Sequence, residues 1–145
     1  MKEYVVGLLF NANEDDVLLI RKKRPDWQAG FLNGIGGHIQ ENESPKAAMQ
    51  REFFEEAGAE IDSHKWNRFV TMKGPDFVCH FFRHILDEET DAVIDHIYSK
   101  TDEKVAWYSL DKIKTEEVVV VENLNWLLPL ALDPCVKFPI KIESY

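Results

Sequence analysis

Three glutamates fall within five residues, Glu52, Glu55 and Glu56, directly after Arg51 in the stretch REFFEEAG. On a helix, residues three and four apart are surface neighbours, so Glu52 meets both Glu55 and Glu56 and the like charges repel. A hard divalent cation would offset that repulsion. Mg²⁺ takes oxygen ligands at about 2.1 Å, only a few of them from protein, and leaves the rest to water and substrate phosphates. Just upstream, NGIGGHIQENE supplies Gly34, Gly36 and Gly37, where backbone can approach a ligand closely. A glycine loop delivering into a carboxylate helix suits a metal site.

The elements that must position these groups are legible around them. Ser44 is a candidate N-cap, Pro45 occupies the first helical position and Gly58 the stop, which predicts a helix over the acidic stretch. On its wheel Met49, Phe53, Phe54 and Ala57 share one arc, with the three glutamates nearly opposite. Tyr4 to Phe10 and Val17 to Ile20 flank the turn cluster NANEDD and predict a hairpin. The second strand runs into the basic RKKR, Arg21 to Arg24, and Pro25 then opens a loop rich in Gly and aromatics. WNRFVTM and FVCHFFRHIL, separated by KGPD, predict a second hairpin. DEETD, Asp87 to Asp91, reads as a solvated acidic loop. Further strands are expected over Val93–Ser99 and in KVAWYSL, then a helix over VENLNWLLPLAL with Pro129 as a kink or boundary, and a VKFPIKI tail.

A chain of 145 residues with 45% hydrophobic and 30% charged residues has the length and composition of one folded mixed α/β domain, residues 1–145. The net charge of -9 disfavours a long nucleic acid, which is gripped mainly through Lys and Arg. Glu3 and the missing cleavage site argue against a signal peptide in MKEYVVGLLF, and no run approaches the roughly 20 apolar residues of a membrane span. Cys79 and Cys135 have no metal or disulfide spacing and read as buried thiols of a reducing compartment, so a cytoplasmic location is expected. His38, His64, His80, His84 and His96 are scattered without zinc spacing.

Gly37, five positions, Glu43, seven positions, then Arg51, Glu52, Phe53, Phe54, Glu55, Glu56, Ala57 and Gly58 resembles the box of the Nudix hydrolases. Eight defined positions match at fixed spacing, far more than a lone glycine motif offers. The departure is Ala59, where the family usually carries a bulkier aliphatic. The resemblance is MutT-like and implies an α/β/α sandwich around a mixed sheet. It also implies hydrolysis of a nucleoside diphosphate linked to another group, with Mg²⁺ or Mn²⁺ assisting attack by water. Carried over, Glu52, Glu55 and Glu56 are the metal carboxylates, with the Gly37 carbonyl as a further ligand. Arg51 and Glu43 orient them, Gly58 closes the helix, and which carboxylate is the general base stays open. The family often places another acid in a loop before a late strand. TDEKVAWYSL offers Asp102 and Glu103 there, with Glu103 the choice.

RKKRPDWQAGFLNGIGG also resembles the corresponding stretch of enzymes that clear oxidised purine nucleoside triphosphates. The resemblance implies Asn33 as reader of the purine edge, its amide both donating and accepting. Lys22 or Lys23 are candidates for the phosphates and Trp27 for stacking on the base. Glu122, with Asn123 beside it in ENLNWLLPLAL, is a second candidate reader, where a pair of acids would be the stronger pattern. The expected substrate is a purine (d)NTP such as 8-oxo-dGTP, acted on by a monomer or homodimer. Pro75 lies at about the spacing of ADP-ribose hydrolases, the alternative within the family. A non-catalytic nucleotide-binding module is the alternative outside it.

Overall fold

The computed structural model describes residues 1–88 and 95–143. Its first two strands, β1 (Lys2–Phe10) and β2 (Asp16–Arg21), are apolar at consecutive positions rather than alternate ones. Such strands require cover on both faces of the sheet. Val5, Leu9, Leu18 and Ile20 point to one side, and Leu8, Phe10, Val17 and Leu19 to the other.

The remaining strands are β3 (Leu32–Asn33), β4 (Ile35–His38), β5 (Asn67–Lys73), β6 (Phe77–Ile85), β7 (Val105–Ser109) and β8 (Ile140–Glu143). All eight join one sheet. β1 lies parallel to β6 along its whole length; on its other edge it pairs antiparallel with β4 through Tyr4 to Gly7 and with β2 through Leu9 and Phe10. β2 carries β7 antiparallel, β5 pairs antiparallel with β6, and β8 lies parallel to β5. The sheet is therefore mixed, as the sequence implied.

The long helix α1 (Pro45–Ala57) begins as the sequence predicts, with the Ser44 side chain accepting from the Ala47 N–H, and ends on Gly58 in the left-handed conformation, φ 74°. Ala48, Met49, Phe53 and Ala57 pack on one face of the sheet with Trp66 and Phe82. Phe54, expected on that arc, instead lies half-exposed beneath the Lys100 ammonium, 3.9 Å from the ring centroid. The opposite face is covered by α3 (Leu124–Ala131), through Leu124, Leu127, Leu128 and Ala131, and by Ile113 of the short α2 (Leu110–Lys114). That is the α/β/α arrangement.

Four local expectations change. NGIGG runs through the end of β3 and into β4 and is not a loop, because β2 pairs with β3 and β1 with β4, partners that no local pattern reveals. The strand expected over Val93–Ser99 is absent at Asp95–Ser99, and Val93 and Ile94 lie outside the described residues, as do Glu89 to Asp91 of the acidic run. There the Tyr98 and Lys100 N–H groups donate instead to the Ala57 and Glu56 carbonyls at the end of α1. Cys79 is buried as expected, but Cys135 is exposed. α3 starts at Leu124 rather than Val121, since the Val121 N–H donates to the Leu32 carbonyl. Among the described residues no helix is long and apolar enough to cross a membrane.

Phe53 is fully buried with its ring 5.5 Å from that of Trp66. Phe53→Ala is expected to lower unfolding stability by about 3–5 kcal/mol in urea titrations. A loss below about 1 kcal/mol would mean that this contact does not hold α1 on the sheet.

Candidate metal and nucleotide site

Seating the apolar stripe of α1 carries Glu52 and Glu56, one turn apart, toward β4. Glu52 lies against Gly37 so closely that a Cβ added there would sit 2.6–2.7 Å from its carboxylate, so a larger residue would displace that carboxylate. Burial pushes the Glu52 carboxyl up, opposed by Arg51. Burial pushes Glu56 further, to about 8; nearby Lys22 counteracts it, and Glu52 and Glu103 add to the rise. Glu56 Oε2 is buried with no hydrogen-bond partner among the described residues.

Arg51 organises the rim. Its Nε and Nη2 donate to the two oxygens of Glu43 at 2.7 and 2.9 Å, and Nη2 also donates to the His38 carbonyl at 2.9 Å. Nη1 donates to Glu52 at 2.9 Å and to Glu55 at 3.2 Å. The Glu43 contact keeps the guanidinium firmly protonated, and the same bond holds Glu43 below the usual carboxylate range. One cation thus spans three carboxylates and the strand that faces them.

The other wall comes from Glu103, which is buried. It accepts from Lys22 Nζ at 3.2 Å, from the Lys23 N–H at 2.7 Å and from the Arg24 N–H at 3.4 Å. Burial pushes its carboxyl up, but these donors together outweigh it and the net shift is downward. Next to it, exposed Asp102 pairs with Arg24, 2.7 Å at the shorter contact.

An orphaned buried carboxylate oxygen and two carboxyls raised by burial are what an oxygen-ligated divalent cation would relieve, so the residues fit Mg²⁺ or Mn²⁺. As the side chains stand, no three His, Cys, Asp or Glu among the described residues converge tightly enough to hold an ion. The reason is local. Glu55, with its side chain 52% exposed, is drawn to the rim by Arg51, while Glu103 is engaged by Lys22 and the backbone.

The NUDIX domain family model matches residues 1–127. The chain belongs to the Nudix family. It is 32% identical over 105 residues to a Mus musculus oxidized purine nucleoside triphosphate hydrolase, a match covering 67% of this chain and 60% of that protein's length. Among solved structures it resembles a MutT from work on Aliivibrio salmonicida and Vibrio cholerae. There the TM-score is 0.71 at 19% identity, over 90% of this chain and 96% of that one. It also resembles a bifunctional NMN adenylyltransferase/ADP ribose pyrophosphatase from Francisella tularensis, TM-score 0.74 at 20% identity, over 93% of this chain and 41% of that one. At such identities the structural likeness establishes the shared fold.

In this Nudix chain the fold brings Gly37, Glu43, Arg51, Glu52, Glu56, Lys22 and Glu103 to one end of the sheet. Ala59, the departure from the box, is buried. The two lysines separate: the Lys22 side chain turns inward, whereas that of Lys23 is 59% exposed and approaches Asp102 at 3.9 Å. Trp27 stands 72% exposed on a short 3-10 turn, Asp26–Gln28. Asn33 sits in β3 with its amide tied to Gln28 and the Gly34 N–H. Glu122 is exposed just after the contact of Val120 and Val121 with Leu32, which brings it to the β3 edge. Pro75 is exposed in the β5 to β6 turn. The Lys22 to Glu103 contact, 81 residues apart in sequence, and Gln28 carry no local signal from which they could have been read.

Glu56 ionises near 4.5 ordinarily and near 8 in the folded protein. Its contribution to stability is therefore complete below about pH 4.5 and is lost progressively as pH rises toward about 8. Urea unfolding of metal-free protein at about pH 5.5 and about pH 8.5 should show wild type losing stability relative to Glu56→Gln. Identical pH dependence of the two would rule out a buried, protonated Glu56.

Proposed function

We propose that the chain is a Mg²⁺-dependent Nudix hydrolase. It cleaves a purine (d)NTP such as 8-oxo-dGTP to the nucleoside monophosphate and pyrophosphate, as one domain over residues 1–145. The observation that carries this is the inward-facing pair Glu52 and Glu56, buried against β4 with an oxygen left unpartnered. The purine assignment is supported by the oxidized purine nucleoside triphosphate hydrolase that the chain resembles and by the position of Asn33.

Glu52, Glu55, Glu56 and the Gly37 carbonyl would hold Mg²⁺ or Mn²⁺. When bound, the cation supplies charge neutralisation at the diphosphate and lowers the pKa of the attacking water. Arg51 and Glu43 fix the rotamers of the acids. Attack by water forms one new P–O bond and breaks one phosphoanhydride bond; pyrophosphate leaves with the electron pair, and the water's proton passes to a carboxylate. Glu52 and Glu103 are the candidates for that acceptor, Glu103 because its donors keep it ionised. Lys22 and Lys23 serve the phosphates, Trp27 stacks on the base, and Asn33 and Glu122 read its edge.

A second reading, ADP-ribose hydrolysis, is favoured by Pro75 in its exposed turn. Phosphate release from a nucleotide panel, coupled to pyrophosphatase for the triphosphates and to alkaline phosphatase for ADP-ribose, whose products AMP and ribose 5-phosphate are phosphomonoesters, separates the two when run with and without Mg²⁺. Mg²⁺-dependent turnover of a purine triphosphate is expected, with Glu52→Gln and Glu56→Gln lowering kcat by about 10²-fold or more and Glu103→Gln also slowing turnover. Hydrolysis of ADP-ribose but not of triphosphates would replace the first reading with the second, and no turnover of any nucleotide would sink the enzyme reading. Independently of activity, Mg²⁺ should raise the Tm of wild type and raise that of Glu56→Gln less.

A further inference from the structure

The loop between β2 and β3 is closed by its own backbone. The Lys22 N–H donates to the Phe31 carbonyl, the Gly30 N–H to the Lys22 carbonyl, and Arg21 Nη1 to the Gly30 carbonyl. Gln28 is fixed inside it, its N–H donating to the Pro25 carbonyl and its own carbonyl accepting from the Phe31 N–H. From this position its half-buried side chain reaches Asn33, five residues on, where Oε1 accepts from Asn33 Nδ2 at 2.9 Å. On the other side of the same amide, Asn33 Oδ1 accepts from the Gly34 N–H at 2.8 Å.

This short network has one consistent polarity. A backbone N–H can only donate, so the Asn33 atom facing Gly34 must be oxygen, and its nitrogen must face Gln28. Rotating the Asn33 amide by half a turn would set nitrogen against the Gly34 N–H and oxygen against the Gln28 oxygen, losing both bonds. Each amide oxygen has two lone pairs and each amide nitrogen two N–H groups, so Asn33 keeps one acceptor and one donor, in fixed positions, for a ligand. An edge presenting its own donor and acceptor in complementary positions is then distinguished from one that reverses them, since the mismatch leaves polar groups unpaired.

We infer that Gln28 is a specificity-determining positioning residue, which locks the Asn33 amide so that it selects among nucleobase edges. This rests on Asn33 reading the base, as proposed above. Gln28 acts through Asn33 and not on the reacting phosphates, so its loss falls on base selection and KM more than on kcat.

The experiment measures kcat/KM for a panel of nucleoside triphosphates differing only in the base, 8-oxoguanine included, for wild type, Gln28→Leu, Gln28→Glu and Asn33→Ala. Gln28→Leu removes the acceptor and is expected to shrink the ratio between best and worst base by about three- to tenfold, mainly through KM. Gln28→Glu still accepts from Asn33 Nδ2, so its ratio should stay within about twofold of wild type even if its charge raises KM for every nucleotide. If Asn33→Ala collapses the ratio and Gln28→Leu leaves it intact, the role of Gln28 is overturned while Asn33 stands. If Asn33→Ala also leaves it intact, the base-reading assignment fails and this inference with it. A lowered Tm for Gln28→Leu with no change in the ratio counts against it too, as a purely structural role.

Discussion

A single guanidinium holds the architecture of the site together. Arg51 spends its Nε and Nη2 on Glu43, reaches the His38 carbonyl at the end of β4, and turns Nη1 toward Glu52 and Glu55. The planar fork of arginine matches the two oxygens of Glu43 in a way that the compact lysine ammonium cannot. Glu43 approaches from the turn before α1, so the contact also clamps the helix entrance to the strand that the helix faces. Without this cation, the partly buried Glu43 and Glu52 and the exposed Glu55 would stand close together with nothing to compensate them.

The acids that Arg51 does not reach behave differently. Glu56 lies one turn beyond Glu52, deeper, and is offset only partly by Lys22. The helix therefore accepts an electrostatic penalty at the position where its apolar stripe seats it most firmly on the sheet. A buried group whose bonding capacity is not satisfied is a common mark of a functional site, because folding alone gives no reason to keep it. Glu103 shows the contrast: also facing inward, it is satisfied by two backbone N–H groups and Lys22, so it fastens the end of β2 to the approach of β7 and stays ionised.

That fastening links the two halves of the proposed site. β2 ends in the basic run, its loop returns through Gln28 and Asn33, and β3 is edged by Val120 and Val121 ahead of Glu122. The phosphate side and the base side are thus built on one strand and its loop, held by bonds to residues about 80 positions away.

The helix was legible in the sequence because its determinants are local. Ser44, Pro45 and Gly58 set its ends, and the fixed spacing of Gly37, Glu43, Arg51, Glu52, Glu55 and Glu56 points to the family without reference to any tertiary contact. The two-sided burial of β1 and β2 was likewise written in consecutive apolar residues. Tertiary structure alone decided that NGIGG is strand, since glycines have no side-chain alternation and depend on β1 for pairing. It alone turned Lys22 inward and Lys23 outward, and placed Phe54 outside the core. It alone aimed the Asn33 amide through Gln28. The physical reason is the same in each case: caps and helical spacing act over a few residues of chain, whereas strand pairing, burial of a charge and the orientation of an amide depend on groups that only folding brings near.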